Sequence, residues 1–148
     1  EMGAEGRQGD TSQGPARGER GADPGGDPGR EQRSELARSM REFQVIAERN
    51  DVLIATFGHA GDGNLHPTIV TPRGDQVAAE RAMKAFKEIL DVSLECGGSV
   101  TGEHGIGSLK QHALFQELDE PARDLHVRIK QAWDPRGILN PGKSLPRW

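Results

Sequence analysis

With 148 residues and a mean hydropathy of −0.70, the chain has material for one modest domain and no more. A formal net charge of −4 and a pI near 5.7 give no electrostatic reason to expect nucleic acid or an anionic membrane as partner, and no apolar run approaches membrane-spanning length. The single cysteine, Cys96, excludes an internal disulfide, and the polar N-terminus lacks the apolar stretch of a secretory signal, so the sequence reads as a soluble, cytoplasmic protein.

The first thirty residues hold nine glycines and no leucine, isoleucine, valine or aromatic side chain. They cannot offset the entropy of ordering, and residues 1–33 are predicted to be a disordered, low-complexity tail before a domain of residues 34–148. Ser34 is a plausible N-cap for a helix carrying Leu36, Met40, Phe43 and Ala47 on one face, with Asn50 and Asp51 as its exit. "VLIATF" (52–57) reads as a buried strand. A glycine-rich loop follows, then a second strand over 65–71 with His66, Thr68 and Val70 on one face, where Pro67 demands an edge or an irregular start. A long helix is predicted from Gln76 to Cys96, striped by Ala78, Ala82, Ala85, Ile89 and Val92 and ended by Gly97 and Gly98. "GSVTGEHGIG" (98–107) suggests a short strand entering a turn. Leu109 to Leu118 reads as helical, and Pro121 suits the first turn of a last helix bearing Leu125, Ile129 and Ala132. "WDPRGILNPGKSL" reads as an extended tail. The pattern is α+β: helices on one face of a small, partly antiparallel sheet.

"ATFGHAGDGNLHPTI" (55–69) sets His59 and His66 on the two shoulders of a turn tight enough to aim both rings at one point. With Glu103 they are the donor types a borderline divalent metal takes, two neutral imidazoles and a carboxylate. Three protein donors leave coordination positions open, as a catalytic site requires, and an α-hydroxy acid offers a hydroxyl and a carboxylate oxygen to fill them. His104, beside Glu103 and bracketed by Gly102 and Gly105, has the intrinsic pKa of a general base. From spacing alone, two histidines seven apart around such a turn are more often ordinary edge-strand residues than ligands; the second glycine-framed segment strengthens the metal reading. Asp62 is better suited to capping the turn's own amides than to binding metal. His112 and His126 are read as solvated and Cys96 as a packing residue. Trp133 is read as core or as neighbour to a planar cofactor, and Lys110 as a carboxylate holder or simply solvated.

"GHAGDGNLHP" (58–67), "GGSVTGEHGIGSLK" (97–110) and "IKQAWDPRGILNPGKSL" (129–145) together resemble the C-terminal domain of the FAD-linked oxidases, over about Ser34 to Leu145. That group includes D-lactate dehydrogenases, the flavin subunit of glycolate oxidase and D-2-hydroxyglutarate dehydrogenase. The resemblance implies a ferredoxin-like substrate-cap domain packed on a separate flavin-binding domain, and FAD held mainly by that other domain. It implies a divalent metal, zinc or manganese, on His59, His66 and Glu103, and His104 as the base that takes the hydroxyl proton of a 2-hydroxy acid while hydride passes to the flavin. Asn140 resembles the tail position that approaches the flavin. Nothing in the chain resembles the larger flavin-binding domain, so the resemblance implies a C-terminal portion that is inactive without a separate flavin-binding domain or subunit. Thr68 stands where the hydroxyglutarate type places an asparagine, and "HPTI" is closer to the lactate and glycolate branch. A non-catalytic metal-binding remnant, and a metallohydrolase using the same three ligands with His104 as proton shuttle, remain compatible with the residues.

Overall fold

A computed structural model describes residues 28–145, with side chains from Glu35 onward. The elements are α1 (Pro28–Asn50), β1 (Leu53–His59), β2 (Asn64–Val70), α2 (Gln76–Glu95), α3 (Gln111–Glu117) and α4 (Glu120–Trp133). Four helices and one antiparallel strand pair make an α+β chain. The described residues divide into two compact units, one up to Glu103 and one from His104 onward. Of the expected tail, residues 1–27 lie outside the described residues. Residues 28–33 are helical: α1 begins at Pro28, and Ser34 lies inside the helix and not at its start.

In the first unit, α1 and α2 pack on each other, α1 against β1 and α2 against β2. The buried ridge of α1 runs Ser39, Phe43, Ile46, Asn50, which leaves Met40 exposed although its spacing suggested the core face. From α2 come Ala78, Ala85, Phe86, Ile89, Leu90 and Ser93. Fully buried Phe43, Ile46, Ile89 and Leu90 each contribute about 1.5–3 kcal/mol relative to exposure.

The two long helices stop by the same device. Val52 and Asp51 donate backbone N–H to Ala47 and Glu48 carbonyls at the end of α1, and Gly98 and Gly97 to Ser93 and Leu94 at the end of α2. Gly97 carries the left-handed residue at φ +71°, and Asp51 does the same without being glycine at φ +50°. The start of α2 is capped by Asp75, whose Oδ1 accepts from Ala78 N at 2.9 Å.

The hairpin register pairs Leu53 with Val70, Phe57 with His66 and His59 with Asn64. Directly opposed residues share a face, so Ile54, Thr56, Leu65, Pro67 and Ile69 turn toward the helices. Leu53, Ala55, Phe57 and His59, with Asn64, His66, Thr68 and Val70, form the other face. The expectation of a buried first strand is therefore half corrected: Leu53 and Phe57 are 66% and 64% exposed, because helices cover only one side of the pair.

No strand forms at 98–101 beyond an isolated bridge at Gly98. Ser99 Oγ donates to Thr101 O at 2.7 Å and accepts from Thr101 N at 3.2 Å, a local turn that takes the backbone groups a ladder would need.

In the second unit, α3 is shorter than predicted and α4 is capped by Asp119, with Pro121 in its first turn. No residue of α4 is buried. Leu125, Ile129 and Trp133 are all exposed, Trp133 by 82%, which overturns its reading as a core residue. The tail after α4 is not simply extended: Ser144 N donates to Gly107 O at 2.6 Å and Gln111 Nε2 to Gly142 O at 2.7 Å. Two of the three motifs are thereby joined within this unit. Among the described residues, no helix is long and apolar enough to cross a membrane.

Candidate metal centre

The loop of the hairpin is four residues, 60–63, closed by Asp62 N donating to His59 O at 2.9 Å and by Gly63 at φ +70°. His59 is the last residue of β1 and His66 the third of β2. Their register makes them diagonal neighbours on the face away from the helices, with ring centroids 5.6 Å apart and planes at 90°. The turn residues and the period-2 alternation of strands suffice to produce this pairing.

Glu103 completes the set. Its Oε1 lies 3.2 Å from His66 Nε2 and 4.0 Å from His59 Nε2. One donor atom from each of the three residues lies within 4.8 Å of the others. Bonds of 2.0–2.1 Å put tetrahedral donors about 3.3 Å apart and allow no more than about 4.2 Å between any two. The His66–Glu103 distance already meets that requirement, and the widest separation needs to close by roughly 0.6 Å at most. His59, with 60% of its side chain exposed, has the freedom to make that adjustment, while His66 at 18% is the held member. Geometry and donor chemistry both fit a divalent cation.

Gly58 is held to glycine by backbone, and Gly102 lies against the Asn64 side chain. A Cβ on Gly58 would fall 2.3 Å from the Asn64 carbonyl oxygen, and one on Gly102 would fall 2.7 Å from Asn64 Oδ1. Gly105 and Gly107, at φ +78° and +57°, carry the chain through the turn after His104. His104 itself follows Glu103 directly and is exposed.

The remaining candidates divide. Asn140 is exposed at φ +47°, its carbonyl accepting from Lys143 N at 3.1 Å. Beside it lies an open cleft of about 580 Å³ lined by Lys130, Asp134, Arg136, Ile138 and Pro141. Lys110 is 4% exposed, so the solvated reading of that lysine is overturned. His112 and His126 are exposed, as expected, and His126 Nδ1 pairs with Ala122 O at 2.7 Å. Ser39 Oγ donates to Cys96 Sγ at 3.6 Å, and burial pushes the Cys96 thiol up, so it packs as a thiol. Asp62 is exposed.

Two residues escaped the sequence reading. Asp134 is buried and ties the chain after α4: Oδ2 accepts from Lys130 Nζ at 2.7 Å and Leu139 N at 2.9 Å, and Oδ1 from Ile138 N at 3.0 Å. The Lys130 bond, with the backbone donors, holds its carboxyl below the usual aspartate range. Asn64 is the buried cross-strand partner of His59, a position visible once the register is known.

A histidine pair and a carboxylate gather at a helix-backed hairpin in an α+β chain. The chain belongs to the FAD-linked oxidases as a match to their C-terminal domain, over residues 32–144. It is 47% identical over 115 residues to the glycolate oxidase subunit GlcD of Bacillus subtilis, covering 78% of this chain and 24% of that protein. It is 37% identical over 101 residues to GlcD of Escherichia coli, covering 68% and 20%. A D-lactate dehydrogenase of Archaeoglobus fulgidus is 37% identical over 111 residues, covering 74% and 24%. The chain thus spans about a quarter of the length of these relatives.

Proposed function

We propose that this chain is the metal-bearing, substrate-capping portion of an FAD-dependent oxidoreductase acting on a short 2-hydroxy acid of the glycolate or D-lactate type. The convergence of His59, His66 and Glu103 on the open face of the hairpin carries the reading. FAD would be held by the other three quarters of such a protein, on the same polypeptide or a partner subunit, and would supply the hydride-accepting chemistry. A zinc or manganese ion held by the three ligands would supply positive charge that favours loss of the substrate hydroxyl proton.

This chain's own residues do the rest. His59 and His66 as neutral imidazoles and Glu103 as carboxylate hold the cation, and the rigid strand pair fixes two of the three. His104, one residue beyond Glu103, takes the hydroxyl proton onto its ring. Phe57 and Leu53, exposed on the same face as both histidines, give apolar surface that excludes water once the flavin-bearing region closes over it. Asn140, at the shoulder of the tail turn, is the residue that would contact the flavin. The lone Cys96, held as a thiol, accords with a cytoplasmic setting.

Metal analysis of the purified chain tests the centre. One zinc or manganese per chain is expected, lost in His66→Ala. The chain, supplied with the flavin-bearing region, is then expected to reduce a dye with glycolate or D-lactate and to lose that activity on chelation. Failure of the intact chain to bind either metal refutes the proposal.

A further inference from the structure

Asn64 is 9% exposed, and its Oδ1 meets no hydrogen-bond donor among the described residues. A buried acceptor without a donor is unfavourable and calls for a reason to be kept. The surroundings supply one. A Cβ on Gly102 would lie 2.7 Å from Asn64 Oδ1, 3.0 Å from Cγ and 3.2 Å from Nδ2, so the whole carboxamide head abuts the residue that precedes Glu103. Asn64 sits opposite His59 across the strand pair and two residues before His66 on its own strand. One side chain therefore touches the segment that carries the carboxylate while its backbone belongs to the hairpin that carries both imidazoles.

We propose that Asn64 is a positioning residue of the metal centre: its carboxamide sets the distance between the histidine hairpin and the Gly102–Glu103 backbone, and thereby places the Glu103 carboxylate at His66. The inference rests on the metal reading above and deepens it. The Glu103 side chain is 49% exposed and has three rotatable bonds, so its reach to His66 Nε2 at 3.2 Å depends on where its backbone starts. What fixes its origin is the backbone at 102–103, and a side chain at Gly102 would have to displace the Asn64 carboxamide. The two motifs are in this sense a matched pair, a bulky amide on one and a hydrogen on the other.

The test titrates the full chain with Zn²⁺ under chelator buffering and, separately, with Co²⁺ followed by visible absorption. Asn64→Ala is expected to weaken Zn²⁺ binding about 10- to 100-fold, the usual effect of removing a group that orients a metal ligand, while the Co²⁺ bands keep their positions because the ligands are unchanged. Gly102→Ala is expected to weaken binding comparably. The double variant Asn64→Ala/Gly102→Ala is expected to lose no more than the worse single one, since the missing carboxamide leaves room for the new methyl. Asn64→Ser is measured alongside, with circular dichroism on every variant, so that misfolding of one protein does not decide the outcome.

Wild-type affinity in a folded Asn64→Ala or Asn64→Ser chain overturns the proposal, as does a double variant whose loss is the product of the two singles. Co²⁺ bands displaced as in Glu103→Gln also overturn it, since Asn64 is then a ligand. A wild-type chain that binds no metal overturns the metal reading itself, an outcome distinct from a wild-type chain that binds while its Asn64 variants bind equally well.

Discussion

Gly58→Ala probes the hairpin at the point where shape and chemistry meet. Gly58 pairs with Leu65, and a methyl at position 58 would stand 2.3 Å from the Asn64 carbonyl oxygen and 3.1 Å from Leu65 Cα and Cδ2. A carbon and an oxygen approach no closer than about 3.3 Å in ordinary contacts, so the strands must part by roughly 1 Å. The obstacle is backbone and cannot rotate aside. Overpacking of this kind costs about 1–3 kcal/mol, which for a folded part of about 100 residues lowers Tm by roughly 4 °C or more. The consequence for the centre follows from distance. His59 Nε2 is already 4.0 Å from Glu103 Oε1, against a ceiling of about 4.2 Å for two donors on one ion, and a further 1 Å exceeds it. Zn²⁺ affinity is expected to fall at least about tenfold, as when the support of a ligand is lost. Thermal unfolding by circular dichroism and chelator-buffered titration measure the two effects. A Gly58→Ala chain with wild-type Tm and affinity would refute both the register and the convergence built on it.

Three further outcomes check other parts of the structure. Glu88 Oε2 accepts from Arg49 Nη2 at 2.6 Å and from buried Asn50 Nδ2 at 2.9 Å; burial alone would raise its carboxyl, and these donors outweigh it and bring it below the ordinary value. Glu88→Ala deprives Asn50 of one acceptor and is expected to cost about 1–3 kcal/mol in urea unfolding, with the exposed Arg49 adding little, so a change under about 0.5 kcal/mol would contradict the assignment. Asp134 titrates lower folded than unfolded, so the unfolded chain binds the extra proton first and stability falls with falling pH. The stability difference between wild type and Asp134→Asn should be full above about pH 4 and close as pH drops through the lowered folded value; a gap independent of pH would show the carboxylate is not the source. His104→Ala, in the assembly with its flavin-bearing region, should keep its metal while substrate oxidation slows about a hundredfold or more, and an unchanged rate removes His104 from the chemistry.

The helices and the hairpin were legible because their signals are local. Asp75, Gly97 and Pro121 mark ends through their own backbone preferences, and the Gly-Asp-Gly-Asn turn makes a reversal between 59 and 64 nearly obligatory. The candidate donors His59, His66 and Glu103 were legible by residue type. The strand expected at 98–101 was misread because Ser99 spends its hydroxyl on Thr101, a competition that β-propensity does not register. Trp133 was misread because hydrophobicity states what a side chain prefers and not whether anything covers it.

What the order of amino acids determined alone was the set of elements and the turn that returns one histidine toward the other, since these depend on dihedral preferences within a few residues. Only the tertiary structure decided that Glu103 reaches His66 from 37 positions further along the chain, that Asn64 fills the space Gly102 leaves, and that Asp134 ties the chain after α4. Those contacts arise from packing between segments distant in the chain, where distance in space is set by the core and not by any local preference.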